Sequence, residues 1–135
     1  MPPVHGKALS RGILLFLFLY VVHVGILPLL VGERAANSDY QGLLYGINQL
    51  LGVLTCLLPG FVAGRLAGTN GFLHGGLVGG ISTVLTALMA MAWALITGAR
   101  FMGLGMLPFW LVINVFLCAF AGMLSTSRTE ESDPD

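Results

Sequence analysis

The sequence predicts an all-α integral membrane protein, an antiparallel bundle of four helices. Four uncharged stretches, at 12–32, 40–64, 66–99 and 101–127, make up most of the 135 residues. Each is long enough to cross a bilayer core at about 1.5 Å per residue. Charged residues are 9% of the chain, where a soluble domain has about 25%. A water-exposed surface of ordinary polarity cannot be built from this chain, so the lipid bilayer is the expected partner.

The four spans are predicted at about 12–31, 43–65, 72–96 and 107–124. The first is longer than the about 7 to 15 residues of a signal-peptide core, and Glu33 and Arg34 follow it as a poor cleavage context, so we expect it to be a true span. Its last turns contain Pro28, and the fourth span has Pro108 in its first turn, where a missing amide hydrogen costs little. Short connections make successive spans antiparallel neighbours.

The chain after the fourth span contains no apolar residue to bury. Residues 125–135 read Ser-Thr-Ser-Arg-Thr-Glu-Glu-Ser-Asp-Pro-Asp. Such a segment cannot offset the entropy of ordering with buried surface. We therefore predict one four-helix domain over 1–124 and a disordered acidic tail over 125–135.

Basic residues set the predicted orientation. The two predicted sides carry four and two of them: Lys7, Arg11, Arg65 and Arg128 against Arg34 and Arg100. By the positive-inside rule the first side is cytoplasmic. Both termini, and the tail, are then predicted to lie in the cytoplasm.

Glycines recur at intervals of four on both sides of the connection between spans two and three. The two rows, predicted to serve helix packing, are Gly60, Gly64 and Gly68, and Gly71, Gly75 and Gly79. Rows of this kind let two backbones approach closely, which is a main source of helix association in lipid. We expect spans two and three to pack face to face, with Gly68, Asn70 and Gly71 turning the chain.

The same stretch carries a resemblance. Residues 60–79 contain Gly-Phe-Val-Ala-Gly-Arg-Leu-Ala-Gly and Gly-Phe-Leu-His-Gly-Gly-Leu-Val-Gly. With the chain length and span number, this pattern resembles an uncharacterised family of small bacterial four-span inner-membrane proteins. The resemblance implies four helices in a bacterial cytoplasmic membrane, and it implies no activity.

The glycine-rich hairpin has a second interpretation besides packing. Amides at the start of span three, with Arg65, Asn70 and His74, could contact an anion such as a lipid phosphate. Spaced glycines alone do not make a phosphate-binding loop, because the lysine and hydroxyl of that motif are missing. The packing interpretation is therefore favoured.

Six polar residues are predicted to form one layer inside the membrane, because polar groups in hydrocarbon usually face protein or water. They are His23, Asn48, Gln49, Thr83, Thr86 and Asn114. The layer is interpreted either as internal hydrogen bonding or as a small hydrophilic path. Cys56 and Cys118 lie at similar depth and are expected to be packing residues.

Enzymatic, metal and nucleic-acid functions are not expected. The acids lie in the first connection or the tail, so no catalytic pair is suggested. His5, His23 and His74 are predicted at separate depths, which gives no metal site, and no cofactor is expected. A net charge of zero without a basic patch argues against nucleic acid.

Two function classes remain. The favoured one is a non-catalytic structural or accessory membrane component that associates through glycine-rich helix faces, as a homo-oligomer or within a larger complex. The alternative is a minimal channel or transporter for a small polar solute, built on the polar layer.

Overall fold

The computed structural model describes residues 4–26, 38–98 and 104–130, and within these ranges every element is helical. Helix α1 spans Gly6–Tyr20 and runs directly into a π-helix at Val21–Ile26. Helix α2 spans Ser38–Ala67, α3 spans Gly71–Thr97, and α4 spans Leu107–Glu130 after a short 3-10 turn at Leu104–Met106. The predicted all-α class is confirmed.

Within the described ranges, four stretches are long and apolar enough to cross a membrane: Gly6–Ile26, Gly42–Ala67, Gly71–Thr97 and Leu107–Thr126. The second, third and fourth match the predicted spans to within a few residues. The first begins at Gly6, where the prediction began at Gly12, because the mixed segment before Gly12 is also helical. The predicted end of this span, with Pro28, lies outside the described residues.

The predicted boundary after residue 124 falls inside helix α4. Helix α4 continues through Ser125 to Glu130. Ser125 is only 2% exposed, and its hydroxyl donates a hydrogen bond to the Gly122 carbonyl at 2.6 Å. A short polar side chain that bonds back to its own helix is not forced into water. Residues 131–135 of the predicted tail lie outside the described residues.

The turn between α2 and α3 is built as predicted. Three residues separate the helices, and two of them, Gly68 and Asn70, have positive φ angles of 69° and 52°. This left-handed region is where glycine and asparagine are tolerated. Gly71 is instead the first residue of α3. The resulting hairpin makes α2 and α3 antiparallel neighbours.

The two glycine rows of this hairpin were predicted to face each other. Both rows face α4 instead. A Cβ atom added at Gly71 would collide with the backbone of Gly122, and one at Gly75 with that of Cys118. The same holds on α2, where Gly60 lies against Cys118 and Gly64 against Gly122. Two rows on adjacent helices thus form one groove, and α4 lies in it at backbone contact. The one member of the predicted set that does not pack is Gly68, which has open space around it.

The register of these contacts gives the helix directions. Along α3 the contacts run from Gly71 to Gly79 while those on α4 run backwards from Gly122 to Asn114, so α3 and α4 are antiparallel. On the other side of the hairpin, Gly12 of α1 lies against Ala63 of α2 and Val78 of α3. The described starts of α1 and α3 and the described end of α4 therefore lie at one end of the bundle, which we call the turn end.

Burial is concentrated in the half of the bundle nearest the turn. Apart from Ala94, every buried residue in the described part of the chain lies within 8–16, 55–86 or 118–125. We call this the packed half. The remaining described segments, 17–26, 42–54, 87–98 and 105–117, form the open half. Glycines contribute to this packing, because Gly60, Gly64, Gly71 and Gly75 allow backbone contact with α4 in the packed half.

Candidate functional site

The six predicted polar residues do not form one connected layer. Their hydrogen bonds divide them into a pair, His23 with Asn48, and a group of three, Asn114 with Thr83 and Thr86. Within the described residues no hydrogen bond joins the two sets, and Gln49 makes none. Each set has its own place in the bundle.

The His23–Asn48 pair lies in the open half. The Nε2 atom of His23 is 3.0 Å from Oδ1 of Asn48 and donates to it when that nitrogen carries the proton. His23 lies in the π-helix that ends the described part of the first span, and a Cβ added at Gly52 would lie 3.2 Å from Cε1 of the imidazole ring. A π-turn shifts the register of the residues after it. It aims His23 at α2, where Gly52 leaves room for the ring.

The Asn114 group lies where the packed half ends. The side-chain amide of Asn114 donates to Oγ1 of Thr83 at 2.9 Å, and the Thr83 hydroxyl donates to the Gly79 carbonyl at 2.7 Å. The other side of the amide is also used, because the Cys56 thiol donates to Oδ1 of Asn114 at 3.2 Å. Helices α2, α3 and α4 are thus joined through one asparagine. Both Asn114 and Thr83 act as cross-links between helices.

The two cysteines meet, as their depths predicted. The Cys118 thiol donates to the Cys56 carbonyl at 3.0 Å, and both side chains pack with Phe16 in one buried cluster. Here the thiols act as small, weakly polar packing residues. Cys56 also serves Asn114, a role that no spacing in the sequence indicated.

The open half presents one continuous outer face on α2. Gly42, Gly46, Gln49 and Val53 follow at intervals of four, three and four residues, and all four are exposed. Successive intervals of three and four place residues on one side of a helix. A Cβ added at Gly42 or Gly46 would meet nothing within 4 Å. We call these four residues the α2 face.

The three histidines were predicted to lie at separate depths. This is wrong for His5 and His74, which are neighbours at the turn end. The main-chain amide of His5 donates to Nε2 of His74 at 3.0 Å, and the rings are 5.6 Å apart. Nδ1 of His74 lies 3.0 Å from the Asn70 carbonyl and donates to it, since that oxygen can only accept. Local spacing could not reveal this contact, because 69 residues separate the two histidines.

This arrangement changes the predicted anion contact. His74 is fully buried, and both ring nitrogens already have partners within the chain, so it has no free donor for an anion. Arg65 and Asn70 are both exposed beside the turn. An anion contact through these two residues stays a prediction.

Among the described residues, no group of three or more histidine, cysteine or acidic side chains could hold a metal ion. The polar side chains in these contacts are amides, hydroxyls, thiols and imidazoles, and they bond to one another or to main-chain groups. Hydrogen bonds between helices of this kind hold neighbouring helices in register.

No family model, curated protein or solved structure matches the chain. The resemblance to small four-span membrane proteins therefore stays a prediction from the glycine-rich hairpin.

Proposed function

We propose that the protein is a non-catalytic, multi-pass component of a bacterial cytoplasmic membrane that associates with other membrane proteins or with its own copies through the open half. In this proposal both termini are cytoplasmic, and the turn end faces the cytoplasm. The packed half serves as a self-contained scaffold. The open half supplies the surface for association.

The observation that carries the proposal is the α2 face. In lipid, apolar side chains gain nothing by leaving the hydrocarbon for a protein partner, so exposed leucines alone do not indicate an interface. Gln49 differs, because its amide is exposed within an apolar span and has no hydrogen bond among the described residues. An amide without a partner in hydrocarbon is costly. A neighbouring helix would remove this cost.

Gly42 and Gly46 supply the second requirement for association. They lie on the same side of α2 as Gln49, and the space beside them is open. Close approach of another backbone would bring many atoms into contact and place a partner within reach of the amide. Spaced small residues with a nearby amide are a common helix-association pattern in membranes. The glycines of the hairpin cannot serve this purpose, since α4 already covers them.

Cysteine cross-linking in native membranes tests the proposal. The Gly46→Cys variant carries a thiol on the α2 face, and Val112→Cys carries a matched thiol on α4, where Val112 is 68% exposed in the same half. The unmodified chain is the background, because Cys56 and Cys118 are buried. A membrane-permeant bifunctional maleimide is expected to join Gly46→Cys to a neighbouring protein or copy. Equal yields at both positions, or no product at residue 46, would remove the α2 face as the contact.

A further inference from the structure

Where the structure describes side chains, every charged one is cationic. These cations lie at one end of the bundle. They are Lys7 and Arg11 on α1 and Arg65 in the last turn of α2. All three are exposed, and none makes an ion pair with another described residue. We call them the basic end.

Helix packing brings these residues to the same depth. Gly12, next to Arg11, lies against Ala63, two residues before Arg65. The His5 amide bond to His74 holds the start of α1 beside the α2–α3 turn. Lys7 and Arg11 are four residues apart and share one side of α1. Two separate helices thus present cations at one level beside the turn.

We infer that the basic end binds the phosphate of an anionic phospholipid. The inference rests on the proposed location in a bilayer. Exposed cations at the ends of apolar spans lie at the level of the lipid head groups. Arginine matches a phosphate with two parallel hydrogen bonds, and lysine adds a point charge. The exposed Asn70 side chain lies beside the same turn and adds a neutral donor.

The acidic residues after α4 are the competing occupant. Glu130 ends α4 at the turn end of the bundle. Glu131, Asp133 and Asp135 follow it in the sequence. A head-group phosphate has the advantage of position, because the bilayer holds it at the depth of the basic end. Tail carboxylates must give up chain freedom and hydration to reach the same place.

Lipid retention measures whether the basic end prefers a lipid phosphate to the carboxylates of the tail. The full-length protein is incorporated into vesicles of phosphatidylcholine mixed with phosphatidylglycerol, gently extracted, and its bound lipids are counted by native mass spectrometry. Phosphatidylglycerol is expected to be enriched over its share in the vesicle. Arg11→Gln and Arg65→Gln should each lower the enrichment by about fivefold, and high salt should lower it further. Arg65→Lys keeps the charge but loses the two parallel hydrogen bonds, so its enrichment should lie between those of Arg65→Gln and the unmodified protein.

Controls separate the outcomes. Arg100→Gln removes a single cation that follows the opposite end of α3, and it should lower the enrichment less than Arg11→Gln or Arg65→Gln. Equal enrichment in Arg11→Gln, Arg65→Gln and the unmodified protein would overturn the inference, as would displacement of the lipid by inorganic phosphate, which would indicate a free-anion site. No enrichment until Glu130, Glu131 and Asp133 are neutralised would assign the basic end to the tail. Failure to incorporate into any vesicle would instead refute the proposed membrane location.

Discussion

Gly75 of α3 lies against the carbonyl oxygen of Cys118 in α4, so closely that no side chain fits between the two helices. The same contact recurs one turn away, where Gly71 meets Gly122. Helix α4 is therefore held by backbone atoms along the glycine groove of the α2–α3 hairpin. This contact makes one half of the molecule rigidly packed and leaves the other half to present exposed faces.

Adding one methyl group at Gly75 should destabilise the bundle. Alanine favours a helix over glycine by up to about 1 kcal/mol, but at Gly75 its Cβ would overlap α4 and force the helices apart. Overpacking of this kind costs about 1–3 kcal/mol. Gly76→Ala is the matched control, because a Cβ there meets nothing closer than 3.6 Å. Unfolding in mixed detergent, monitored by circular dichroism, should show a lower free energy of unfolding for Gly75→Ala but not for Gly76→Ala. Equal stability of the two variants would contradict the backbone contact.

His74→Ala should weaken the attachment of α1 to the hairpin. It leaves the His5 amide without its acceptor and removes the bond to the Asn70 carbonyl, at a cost of about 1–3 kcal/mol. His5→Ala should cost much less, since the bond uses the main-chain amide of His5 and not its imidazole. Hydrogen exchange of the first turns of α1 should rise in His74→Ala alone. A larger effect in His5→Ala would show that ring contact, not the hydrogen bond, holds the helix.

Asn114 and Thr83 should be energetically coupled. A double-mutant cycle with Asn114→Leu and Thr83→Val measures their interaction apart from other effects of each change. Helix–helix hydrogen bonds in lipid are worth about 0.6 kcal/mol on average and up to about 2 kcal/mol. Unfolding free energies of the two single variants and the double variant should give a coupling in that range. A coupling near zero would indicate that the 2.9 Å contact contributes little.

The double variant His23→Leu with Asn114→Leu distinguishes the proposed association function from a polar conduit. Both side chains are bonded to neighbouring helices, so we expect lower stability and an unchanged phenotype in cells that carry the variant at normal protein levels. A conduit built on these groups would instead lose activity while the protein remained folded and abundant. The comparison needs immunoblots of the membrane fraction beside the phenotype.

The sequence predicts the helices well because the spans follow from hydrophobicity and length, which are local properties. The turn was also predictable, since Gly68 and Asn70 are the residues that tolerate positive φ. The helix that packs against the glycine rows was not predictable. A spaced row shows that some backbone comes close, but not which helix supplies it. The corresponding signal on α4 is a row of small residues, Cys118, Gly122 and Ser125, that carries only one glycine.

Contacts between residues far apart in the chain account for the other differences. His74 has an unremarkable position in the sequence, yet the main-chain amide of His5 donates to its Nε2 and the Asn70 carbonyl accepts from its Nδ1. Ser125 looks like the first residue of a tail, yet Gly64 lies against its hydroxyl and buries it. Gln49 faces outwards, whereas its neighbour Asn48 is half-buried and bonds to His23. A rotation by one residue along the helix decides whether a polar side chain faces the bundle or points outwards. Composition does not reveal which of the two occurs.

Particle mass after gentle extraction tests the central claim that the α2 face mediates association. Native membranes are solubilised in a mild detergent, and the mass of the particle is compared with the 14.3 kDa chain. We expect a dimer, a larger homo-oligomer or a complex for the unmodified protein. For Gly46→Ile combined with Gln49→Leu we expect a folded single chain. A single chain in both cases, or an unchanged particle in the variant, would contradict it.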